Sequence, residues 1–275
     1  MAVFFAVNHA IRVYAEFETR FPESLDELLG SDYLPVSQDE LVNPYSDGPV
    51  TQVPWREQTS IDGHLSRIRV SDGKDLLGNL SFMKAPDGGL KLSIYVDPED
   101  GSDQIQSPIG GFSKKSFDRH VLGIGVGADI FRAERERRRR LYMEKDRETK
   151  RLLMACEYIG SLMTSLPRFG FPVSKSWEQL QATGFVLPVR NPYTGAPIRD
   201  VSFSAPTPGD FTYAGVFSSN SPTNFQIALP ICYDRNLESV DPTTKDHLRY
   251  YQDREDRGGI LDRDGLPVKS IVLIH

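Results

Sequence analysis

Cysteine is scarce in this chain. Two residues, Cys156 and Cys232, among 275 cannot build a disulfide-dense scaffold, and they leave the redox compartment undecided. Long apolar runs are missing too: nothing approaches the ~18 residues of a membrane-spanning helix. The opening Met1-Ala2-Val3-Phe4-Phe5-Ala6-Val7 is too short to span and carries no basic leader or cleavage site. Positive charge is not in excess. A formal net charge of −6 gives no global reason to expect a nucleic-acid partner. Signatures of catalysis and of zinc are also absent. The five histidines (His9, His64, His120, His247, His275) fall at unrelated places, and there is no Gly-x-Ser-x-Gly elbow, His-Glu-x-x-His or Cys-x-x-Cys. A noncatalytic chain without an organic cofactor is the expectation.

What is present is a globular balance, 39% hydrophobic and 25% charged, enough apolar material for two modest cores. One passage occurs twice. The second copy reads Phe171-Pro172, Trp177-Glu178-Gln179-Leu180, Thr183-Gly184-Phe185 and Asn191-Pro192-Tyr193-Thr194-Gly195-Ala196-Pro197. The first reads Phe21-Pro22, Leu25-Asp26-Glu27-Leu28, Ser31-Asp32-Tyr33 and Asn43-Pro44-Tyr45-Ser46-Asp47-Gly48-Pro49. Each Pro ends the preceding helical pattern, and Asn-Pro followed by Gly is turn chemistry, Pro fixing φ and Gly accepting positive φ. Two such passages in the same order imply a duplicated domain.

The similarity extends outward. Gly78-Asn79-Leu80-Ser81-Phe82 with Leu90-Lys91-Leu92-Ser93-Ile94, and Gly209-Asp210-Phe211-Thr212-Tyr213 with Phe225-Gln226-Ile227-Ala228-Leu229, alternate apolar and polar residues as hairpins do. Upstream, Phe4, Val7, Ile11, Tyr14, Phe17 and Phe21 form one helical stripe, and Leu152, Cys156, Ile159, Met163 and Leu166 form another. Each copy is thus long helix, short helix, turn and antiparallel sheet: an α+β fold in two domains, 1–128 and 129–275. Ser24 with Glu27 is a capping-box pattern for the first short helix.

That order of motifs resembles the type IV pilin-like family, nearest the major pseudopilin of type II secretion. Phe171-Pro172, Leu180, Phe185, Asn191-Pro192-Tyr193, Gly195, Pro197 and Gly209-Asp210-Phe211-Thr212-Tyr213 carry the likeness. The first copy follows it more loosely, with Asp47 inserted before Gly48 and Asn79 in place of the Asp. The resemblance implies a structural component of a secretion or pilus-type envelope assembly, extracytoplasmic, with other pilin-like or secretion-system proteins as partners. The alternative it leaves open is a surface or tip-like binding subunit. The family's processed Phe-Thr-Leu-Ile-Glu start and spanning helix are not in this sequence. Val3 to Val7 keeps helical phase with Ile11, so an upstream run of about 20 apolar residues, anchoring the protein in the inner membrane, is expected.

Four stretches invite other readings. Gly123-Ile124-Gly125-Val126-Gly127 matches a dinucleotide fingerprint superficially, but no strand–helix–strand succession surrounds it, so it reads as a junction. Residues 129–166 read as one long helix. Its Arg137-Arg138-Arg139-Arg140 run is taken as a solvated face paired locally, Glu134 with Arg138, Glu136 with Arg140 and Asp146 with Lys150. Asp262 and Asp264, in Asp262-Arg263-Asp264-Gly265, are candidate calcium ligands because they alternate hard oxygens before a turn glycine, and Asp97, Asp100 and Asp103 form a second acidic loop. Strict alternation would turn Phe225, Ile227, Leu229 and Ile231 inward and Cys232 outward, which favours two reduced thiols.

Overall fold

The computed structural model describes residues 2–55, 68–69, 76–96, 105–107, 111–120, 122, 128–166, 176–202, 204–218, 221–240 and 260–261. The chain is α+β and divides into two compact units, 1–144 and 145–275.

In the first unit α1 (Ala2–Glu18) ends where Thr19 takes φ +58°, and Phe21-Pro22 then leads into α2 (Leu25–Leu29). Ser24 caps α2 by accepting the Glu27 N–H at 3.1 Å, and the Glu27 carboxylate reaches back to the Glu23 N–H at 2.6 Å, one residue earlier than a standard capping box. The strands are β1 (Ile68–Arg69), β2 (Leu80–Lys84), β3 (Leu90–Val96), β4 (Ile105–Ser107) and β5 (Gly111–Phe112). They form an antiparallel sheet in the order β1-β4-β3-β2, with β5 also on β3. As the alternation requires, Leu90, Leu92 and Ile94 are buried, and β3 packs on α1. Two short helices follow, α3 (Lys114–His120) and the longer α4 (Ala128–Met143).

The second unit repeats the plan with α5 (Arg147–Ser165), α6 (Trp177–Ala182), and the hairpin β6 (Phe211–Ser218) and β7 (Ser221–Cys232), with β8 (Ile260–Leu261) beside β6. Ser176 caps α6 as Ser24 caps α2, accepting the Gln179 N–H. Leu152, Cys156, Ile159, Met163 and Leu166 are all buried, and α5 packs on β7.

Several expectations change. The expected single helix over 129–166 is two helices. Asp146 breaks it by taking extended geometry and capping α5, accepting the Thr149 N–H and hydroxyl, both at 2.9 Å. The two compact units divide between Glu144 and Lys145, and within the first α4 packs on α1. Soon after Asp103 in the chain come β4, β5 and α3. Cys232 does not face outward. Pairing Phe211 with Cys232 and Tyr213 with Pro230 keeps Cys232 on the Pro230 side, where Gly160 of α5 meets the proline ring and Cys156 donates to Pro230 O at 3.3 Å. Alternation misleads there because Ile231, on the opposite face, is buried as well. Neither cysteine is in a disulfide, and both are buried. The two sheets are also not copies throughout: the shared hairpin is extended beyond β3 in one unit and beyond β6 in the other. Phe171-Pro172 lies outside the described residues, as does Gly123 to Gly127.

Candidate functional site

The Asn-Pro-Tyr passages are built on the same hydrogen bonds twice. Asn43 N–H donates to Gly48 O and Asn191 N–H to Ala196 O, each at 2.8 Å. The Asn43 side-chain carbonyl accepts the Tyr45 N–H at 2.9 Å, and that of Asn191 accepts the Tyr193 N–H at 3.0 Å. Each amide then donates inward, Asn43 to Leu77 O and Asn79 Oδ1, Asn191 to Pro208 O and Asp210 Oδ1. That acceptor in turn takes a backbone N–H from the segment after the turn, Thr51 to Asn79 and Arg199 to Asp210. Asn43 and Asn191 are 2% and 3% exposed, and their side-chain bonds to Asn79 and Asp210 are buried, where a missing partner would be costly. Asn79 and Asp210 thus accept matching donors in the two units.

The two copies differ in charge. Asp210 is 1% exposed and ionic: Arg199 holds it through Nη2 at 2.7 Å and Nε at 3.1 Å, with the Thr207 hydroxyl at 2.7 Å. Asn79 instead accepts the Thr51 hydroxyl at 3.0 Å. The two tyrosines differ as well. Tyr193 meets Thr149 Oγ1 at 3.0 Å and lies under the Arg235 guanidinium, and burial raises its pKa. Tyr45 is 48% exposed.

A second cluster lies where α4 crosses α1. Phe17, Tyr33 and Tyr142 stack with ring centroids 5.2 to 5.8 Å apart, and the Tyr142 hydroxyl donates to Asp32 O at 2.9 Å. Arg138 pairs with Glu16 and lies over the Phe17 ring. The arginine run is therefore not all solvated: Arg135 is 9% exposed, and Arg138 turns inward from the local pairing expected with Glu134, which is bound by Arg137. The period that puts residues 135, 138 and 142 on one helix face is visible in the sequence, but nothing there marks α1 as its partner. Desolvation by burial, aided by the nearby Arg12 and Arg138 charges, lowers the His9 pKa to about 3. Burial and the Glu18 carboxylate push the Tyr33 pKa up, and burial and Glu27 push that of Tyr14 up to about 12.

A third feature is a cleft of about 550 Å³ in the second unit, between α6 and the segment after the Asn191 turn; Trp177, Glu178, Gln181, Ile198, Arg199 and Asp200 are among its walls. Sequence reasoning gave no sign of it.

The candidate calcium ligands Asp262 and Asp264 lie outside the described residues, as do Asp97, Asp100 and Asp103. Among the described residues there is no group of three or more His, Cys, Asp or Glu side chains arranged to hold a metal. No helix among them is long and apolar enough to cross a membrane. Comparisons with protein-family models, with curated proteins and with solved structures give no match to this chain.

Proposed function

We propose that the protein is a noncatalytic structural component of an extracytoplasmic assembly of the type II secretion or type IV pilus kind, built from two tandem pilin-like units. The observation that carries this reading is the doubled turn. The same buried Asn, the same glycine after it and the same strand acceptor recur in both units, and these are the residues through which the sequence resembles that family. A long helix lying on an antiparallel hairpin surrounds the turn in each unit, which offers helix and sheet-edge surface to neighbours. Fractionation of native host cells tests the proposal. The protein is expected in the envelope fraction, digested by protease added to the outside of the inner membrane; recovery wholly in the protected cytoplasmic fraction would refute it.

A second reading, a surface or tip-like subunit that binds a ligand or envelope protein, is favoured by the cleft beside Trp177. Saturable ligand binding by monomeric protein would support it over regular self-assembly.

A further inference from the structure

The two units treat one position differently. In the first, the Gln52 side chain crosses to the start of α2, where its Oε1 accepts the Leu25 N–H at 2.7 Å. The shared frame makes Asp200 its counterpart, since Gln52 bridges to Leu80 and Asp200 to Phe211 in the same parallel manner. Trp177 likewise answers to Leu25, each following its capping serine. Asp200 is a methylene shorter. It turns to the sheet and accepts the Tyr213 N–H at 3.3 Å. In the second unit a cleft lies between Trp177 and Asp200.

Its chemistry is specific. Ile198 gives a buried apolar surface, and the carboxylates of exposed Glu178 and half-buried Asp200 stand on the walls. The cation present, Arg199, is neutralised locally by the buried Asp210 carboxylate. Trp177 is 5% exposed, and its indole N–H makes no hydrogen bond with any described residue. The cleft thus presents apolar surface, net negative charge and an unused donor. A bare metal ion would want about six oxygen ligands, and two carboxylates do not supply them.

We propose that this cleft binds a basic side chain, arginine or lysine, carried by a peptide segment of a partner protein. Its alkyl stem lies on Ile198 and Trp177, its cationic head meets Glu178 and Asp200, and a peptide carbonyl takes the indole N–H. The proposal stands independently of the assembly reading above.

The test uses the full chain with Trp55→Phe, which leaves Trp177 as the one indole. Titration with Nα-acetyl-argininamide should change its fluorescence saturably, with weakening at high salt. The citrulline analogue, isosteric but neutral, should not bind. n-Butylguanidine, a monocation that keeps the guanidinium and alkyl stem and lacks the carbonyl, should bind more weakly. Asp200→Gln installs the first unit's closure, and Glu178→Gln removes a charge from an exposed position where folding is not at stake. Each should weaken binding about tenfold, the worth of one charge-assisted hydrogen bond. Absence of binding, equal binding of the citrulline analogue, or full affinity in Glu178→Gln would overturn the site. Equal binding of n-butylguanidine would overturn the peptide assignment.

Discussion

Gly209 lies so close to Asn191 that a Cβ on it would stand 2.1 Å from Asn191 Oδ1, and Gly78 stands to Asn43 in the same relation at 2.0 Å. Both glycines also take positive φ, +77° and +74°. Two separate demands, a left-handed backbone and a missing side chain, therefore fall on one residue, and they do so in both units. Gly184 has only the first demand, with φ +71° and nothing within 4 Å of its built Cβ. Gly184→Ala should cost about 1 kcal/mol from backbone strain alone. Gly209→Ala and Gly78→Ala should each cost about 2–4 kcal/mol, because the buried asparagine must also move and lose bonds. Urea denaturation of the three variants checks the order.

Much of this was legible beforehand. Asn-Pro-Tyr marked both turns, Ser24 and Ser176 sit where short helices start, and Leu90, Leu92 and Ile94 alternate into the core. These are local signals, written in the identity and spacing of neighbours. The break at Asp146 was missed because Met143-Glu144-Lys145 contains neither Gly nor Pro, so the charged pattern ran on unbroken. The docking of α4 was missed for a different reason: Arg138 has acids at helical spacing along its own chain, and only the fold brings Glu16 to it. The Trp177 cleft follows from a Gln-to-Asp difference that has meaning only once the two units are aligned in space.

The α4 seam makes a graded prediction. Tyr142 is 2% exposed between Phe17 and Tyr33, so Tyr142→Ala should cost about 3–5 kcal/mol. Tyr142→Phe removes the bond to Asp32 O and should cost about 1 kcal/mol. Arg138→Gln breaks a pair that is about a quarter exposed on each side and should cost up to about 1 kcal/mol. Arg140→Gln, at an exposed site, should stay within a few tenths of a kcal/mol, roughly the value of a single surface helix pair. Chemical denaturation of the four variants would reject the seam if Tyr142→Ala matched Arg140→Gln.

His9 gives the first unit a pH dependence. Its pKa falls from 6.5 to about 3 on folding, so between those values the unfolded chain binds the extra proton. The stabilisation is complete above pH 6.5 and is lost as pH falls, by about 1.4 kcal/mol for each unit below that value. Glu27, lowered to about 2 chiefly by Arg20 and the Glu23 N–H, acts in the same direction but only below its ordinary value of 4.5. The two windows separate between pH 6.5 and 5. Denaturation followed by Trp55 fluorescence in a Trp177→Phe background should show a slope there, and His9→Gln should flatten it. An equal slope in both proteins would place the titration elsewhere.

The central claim is that this chain works by contact with neighbouring subunits outside the cytoplasm. Ile130, 74% exposed on α4, is a suitable site for a photo-crosslinking amino acid that leaves the core untouched. Irradiation of native host cells followed by mass spectrometry should yield adducts with pilin-like or secretion-system subunits in the envelope fraction. Adducts formed only with cytoplasmic proteins, or none from a protein correctly folded in those cells, would contradict the account.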